Sequence, residues 1–133
     1  MRIITAAVLA CCLTAGCGGG SGKGPAKAQV SGTVLLDNQP MGGGEIRFSL
    51  PGEVPQSLEI KGGAFSGPVN IGKNRVEVVW DKDGPPNPTD PKAAPVRVNA
   101  VSDKYSGPNS PFTVDVDSGG KSDLKFEVKS ARK

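Results

Sequence analysis

The chain has 133 residues, with 16 lysines and arginines against 13 aspartates and glutamates and no histidine. A net charge of +3, with no basic cluster interleaved with aromatics, leaves nucleic acid without a binding surface. The missing histidine removes the usual general base, the commonest metal ligand and the usual pH switch.

Arg2 begins the chain with a positive charge, and Ile3 to Leu13 form an apolar stretch interrupted only by Thr5. Such a segment spans about 17 Å as a helix, well short of a hydrocarbon core of roughly 30 Å, so it reads as a cleavable signal and not a membrane span. Leu13-Thr14-Ala15-Gly16-Cys17 follows, and then a glycine run. This arrangement resembles a bacterial lipoprotein signal over residues 1–16. The resemblance implies that Cys17 receives a diacylglyceryl group on sulfur and becomes the acylated mature N-terminus. A rival placement puts the lipid on Cys11 after Val8-Leu9-Ala10; it leaves a very short apolar region, and Cys17 is preferred. All three cysteines, Cys11, Cys12 and Cys17, lie at or before this point, so the exported part carries no disulfide and no thiolate site. Loss of Arg2 with the signal lowers the net charge from +3 to +2. With Cys17, residues 18–27 (GGGSGKGPAK) form a flexible tether reaching roughly 17 Å.

Residues 28–133 are expected to form one domain. Val30, Gly32, Val34 and Leu36 share one face of a first strand, and Ile46, Phe48 and Leu50 share a face of the next. Short strands are expected at Ser57–Ile60 and Ala64–Val69, turned by Lys61-Gly62-Gly63. Val76, Val78 and Trp80 alternate with polar or outward positions, as do Val96, Val98 and Ala100, then Phe112, Val114 and Val116, then Leu124, Phe126 and Val128. Period-two runs bounded by 19 glycines and 12 prolines predict an all-β, antiparallel sandwich with one buried face per sheet. Trp80 and Phe112 are expected to point inward, and Tyr105 to plug a crossing between sheets through a hydroxyl bonded to backbone. Lys125, Glu127 and Lys129 line a solvated face.

Three segments carry possible chemistry. Gly67 to Asn74 matches the G-x4-G-K part of a phosphate loop. It lacks the following Ser or Thr and the helix, and Pro68 deletes a backbone donor, so a turn is expected. Asp81-Lys82-Asp83-Gly84 opens like a calcium loop, but Pro85-Pro86 follows and position 12 is Lys92; turn-forming aspartates are the plainer reading. Gly84 to Pro95 carries five prolines and is expected as an exposed connection from the Trp80 strand to the Val96 strand. It is also the best place for a partner contact.

Val30-x-Gly32-x-Val34-x-x-Asp37-x-x-Pro40-x-x-Gly43, with Gly63-Ala64-Phe65 and Gly72-Lys73-Asn74-Arg75-Val76-Glu77-Val78, resembles a carboxypeptidase regulatory-like domain. The stretch from Asp103-Lys104-Tyr105 through Ser110-Pro111-Phe112 to Asp123-Leu124-Lys125-Phe126 is similar to small lipoproteins of planctomycete-type bacteria. These resemblances imply a single seven-stranded Greek-key sandwich of the transthyretin-like or prealbumin-like kind. Hydroxyisourate hydrolases share that fold but need histidines and a C-terminal Tyr-Arg-Gly-Ser, which this chain lacks. The expected function is a non-catalytic, lipid-anchored envelope protein presenting a β-sandwich module, held to a membrane by its N-terminal lipid at Cys17. Its partner would be an envelope protein or polysaccharide, with no cofactor and no metal. The alternative is a carbohydrate- or polymer-binding module at the cell surface, which requires Trp80 or Tyr105 to face solvent.

Overall fold

The computed structural model describes residues 24–131; Cys17 and the expected signal lie outside them. Strand makes up 54% of the structure and helix 4%, so the class is all-β. The strands are β1 (Lys27–Leu36), β2 (Gln39–Pro40), β3 (Glu45–Ser49), β4 (Gln56–Glu59) and β5 (Ala64–Asn70). After them come β6 (Gly72–Val79), β7 (Asp81–Asp83), β8 (Arg97–Asn99), β9 (Phe112–Val116) and β10 (Lys121–Val128). One helical turn, α1 (Asp103–Ser106), lies between β8 and β9 and is too short to leave a periodic stripe in the sequence.

β1 is the centre of the first sheet. It pairs along one edge with β10 and along the other with β5 and then β2. The second sheet runs β4-β3-β6-β9, and β7 and β8 make a separate two-stranded ribbon. Lys27, expected in the tether, is instead the first strand residue, paired with Asn70, and the Ala26 carbonyl accepts from Ile71 N–H. Pro68 sits in β5 opposite Gln29; β5 pairs only with β1, so the missing N–H faces an unpaired edge.

The all-antiparallel expectation is corrected at one pairing. β1 and β10 run parallel, so the first and last strands close the sheet together. The two runs carry the same alternation either way, because a period of two says nothing about direction. Register slips between Val30 and Gly32, where β10 carries an extra residue, and Asp123 takes a left-handed conformation with φ of 58°. Gly32 allows this close approach. A Cβ there would lie 2.7 Å from Leu124 Cβ and would overlap the Leu124 carbonyl oxygen.

The inner faces of the two sheets share one apolar core. Val30 and Val34 of β1, Phe65 and Val69 of β5, and Phe126 and Val128 of β10 meet Ile46, Phe48, Val76, Val78, Val114 and Val116 of the second sheet. Aromatic rings join the layers in a line. Phe48 lies 6.0 Å from Phe65, Phe65 6.1 Å from Phe126, and Phe126 5.2 Å from Phe112 in an edge-on contact. Tyr105 ends the line, stacked on Phe112 at 5.5 Å, so its ring does the anchoring that was expected of its hydroxyl.

The β1–β2 hairpin turns on Asp37 and Asn38, both at positive φ (51° and 68°), as a two-residue turn with that twist requires. Asp37 also fastens the chain's end, since its carboxylate accepts from Ser130 N–H at 3.2 Å. Hydrogen bonding to Ser130, chiefly, with a smaller contribution from the Lys129 charge, holds the Asp37 carboxyl below its ordinary value. A depressed folded-state value means the contribution is complete above the unfolded-state value and fades as pH falls through the folded one. Thermal melts taken as pH falls below the ordinary aspartate value of about 3.8 should show this loss, and Asp37→Asn should reduce it. An unchanged profile would remove Asp37 as a titrating fastener.

Candidate binding cleft

The two ends of the domain differ. Lys27, Asn70, Gly72 and Val116 lie at one end, where β1 begins. Leu36, Val128, Ser130 and the start of the ribbon lie at the other. Ten residues of β1 separate the ends by roughly 30 Å.

The ribbon grows from the far end because β6 does not stop at Trp80. Asp81, Lys82 and Asp83 continue as β7 and pair with Asn99, Val98 and Arg97. The Asn99 side chain locks its base, accepting from Trp80 N–H (3.0 Å) and Val101 N–H (3.1 Å). Ala100 N–H donates to the Trp80 carbonyl, and Gly84 N–H to the Val96 carbonyl. One expectation changes here: the aspartates taken as turn formers are strand residues. Gly84 to Pro95 is the exposed connection expected between the two strands, and it forms the tip of a hairpin. Within the tip, Asn87 caps Thr89 N–H and Asp90 caps Lys92 N–H, giving two side-chain-supported turns.

The inward face expected of Val96 and Val98 is also corrected: they are 73% and 44% exposed. Their alternation is real, but the ribbon stands outside both sheets, so no core receives it. Gly67 to Asn74 runs from the end of β5 through Ile71 into β6, with Gly72 at φ of 128° and a strand where a phosphate loop would need a helix. Lys125, Glu127 and Lys129 are exposed, and Lys125 pairs with Glu127 at 3.0 Å. Among the described residues, no group of three or more acidic or thiol side chains is placed to hold a metal ion, and no helix is long and apolar enough to cross a membrane.

Where the ribbon leaves the second sheet, a cleft of about 530 Å³ opens on the sheet's outer face. Glu45 of β3 and Glu59 of β4 stand directly opposite each other in the ladder. Ser57 and Leu58 flank Glu59, while Trp80 and Arg97 form the ribbon side. Val79 lies opposite Glu45 on the outer face and is nonetheless buried, in the floor of this cleft.

Trp80 is half-buried and packs against the edge of the core, so the expected inward position holds in part. Its indole rests on the glycine loop before β3. A Cβ on Gly43 would lie 3.2 Å from the indole nitrogen, and one on Gly44, at φ of 98°, would lie 2.9 Å from Trp80 Cβ. The Lys82 ammonium sits 3.5 Å from the ring centroid, a cation–π contact. Sequence reading singled out Trp80 but missed Glu45, Glu59 and Arg97. Only the strand pairing brings those together, and the one available signal was that Ile46 and Leu58 both face inward on neighbouring strands.

No family model matches the chain, and no curated protein or solved structure matches it.

Proposed function

We propose that the protein is a non-catalytic, lipid-anchored component of a bacterial cell envelope, held at Cys17 and presenting one β-module to a partner. The observation that carries this reading is polarity. The fold begins at Lys27, ten residues after Cys17, at the end opposite the ribbon and cleft. A tether from a membrane therefore meets one end of the module, and the ribbon stands roughly 30 Å further out. Two or three acyl chains hold such an anchor stably, at about 0.8 kcal/mol for each buried CH2.

Within this reading the module is a seven-stranded, transthyretin-like Greek-key sandwich of the carboxypeptidase regulatory-like kind. In support, seven strands have four or more residues, split three and four between two sheets that share one core. The small strands β2, β7 and β8 then decorate it. The absence of catalysis is argued from chemistry: no histidine serves a serine nucleophile, and no cysteine follows Cys17.

Cys17→Ser should shift the protein from the membrane to the soluble fraction while the circular dichroism of the domain stays unchanged. Retention of the variant in the membrane fraction would sink the proposal.

A further inference from the structure

We propose that the cleft beneath the ribbon binds a sugar unit carrying a protonated amine. This rests on reading the domain as a binding module displayed outside a membrane.

Glu45 and Glu59 carry the first part of the argument. Like charges directly opposite on neighbouring strands destabilise a sheet, yet these two are placed so. Each is only half engaged. Nε and Nη2 of Arg47 both donate to Oε1 of Glu45, and Lys61 holds Oε2 of Glu59 at 3.1 Å. Oε2 of Glu45 and Oε1 of Glu59 are left without a protein partner among the described residues. Arg47 and Lys61 do not line the cleft. Both glutamates line the cleft, so an ammonium entering it would be drawn to their carboxylates and form charge-assisted hydrogen bonds.

The rest of the cleft selects what carries the amine. Arg97 is positioned by its bond to the Asp81 carbonyl (3.2 Å) and by an ion pair of its Nε with Asp83 at 4.0 Å, which leaves donors of the guanidinium for a hydroxyl. Ser57 adds a hydroxyl, while Val79 and Trp80 supply apolar surface. A sugar ring has this same division, with hydroxyls at its rim and C–H groups on its faces. A lysine side chain would satisfy the carboxylates but leave Arg97 and Ser57 unmatched. The size suits one or two sugar rings, within the range of small-molecule sites.

Trp80 is the only tryptophan of the chain, so its fluorescence reports this cleft alone. The full-length protein in detergent micelles would be titrated with a glucosamine oligomer, its N-acetylated counterpart and trilysine, with calorimetry in parallel to catch binding that leaves the fluorescence unchanged. The expected result is saturable binding of the glucosamine oligomer, weakened about tenfold by acetylation, by Glu59→Gln and by Arg97→Gln. Glu59 is exposed on an edge strand, so Glu59→Gln keeps the fold, which circular dichroism checks. No saturable binding by either method overturns the proposal. So does equal affinity for the acetylated oligomer or for trilysine, or binding indifferent to both substitutions. Membrane partition of the same preparation is read separately, so a failure here leaves the anchoring proposal standing.

Discussion

Replacing Gly32 by valine is expected to cost about 3 kcal/mol or more and to lower the melting temperature by at least ~12 °C. The clash is steric and local. At Gly32 the parallel β1–β10 pair carries its register slip, and the Leu124 backbone occupies the space a side chain needs. Relief would require the two strands to separate, and they close the sheet between the chain's two ends. Gly24→Ala is the control, because nothing lies within 4 Å of a Cβ there, and it should leave the melt unchanged. A Gly32→Val protein that melts with the wild type would mean that β10 does not lie against β1 in this register.

Phe126→Ala should cost about 3–5 kcal/mol, the usual cost of deleting a buried aromatic ring. Phe126 is the middle of the aromatic line: it touches Phe65 within its own sheet and Phe112 across the core. Its removal takes the support from under Phe112 and so loosens Tyr105, which stacks on it. Urea unfolding followed by circular dichroism would give the loss, and Phe126→Leu, which keeps most of the volume, should cost under about 1.5 kcal/mol. An alanine variant no weaker than the leucine one would show that the two sheets do not meet at this ring.

The strands with one buried face were legible in the sequence because burial repeats every second residue. Ile46 and Phe48, Val114 and Val116, and Phe126 and Val128 all lie buried as their spacing implied. Direction and partnership were not legible. Alternation in β1 and β10 is the same for parallel and antiparallel neighbours, and the register slip depends on Asp123 entering a left-handed conformation that its residue type merely permits. β7 is three charged or polar-faced residues with no strand signal of its own. It extends because Asn99, eighteen residues after Asp81, clamps the backbone on both sides of the ribbon's base. Val96 and Val98 misled for the converse reason, since a period-two pattern reports a strand but not whether another layer covers it. The cleft was invisible because Glu45 and Glu59 are separated by a loop and meet only through the β3–β4 ladder.

The central claim is the lipid at Cys17, and the most direct test is the intact mass of the protein extracted from membranes. The expected mass is that of Cys17–Lys133 carrying a diacylglyceryl group and an N-terminal acyl chain, and it should vanish in cells treated with an inhibitor of lipoprotein signal cleavage. A chain without lipid, cut at any other position, would contradict the claim and turn the search for partners towards soluble ligands.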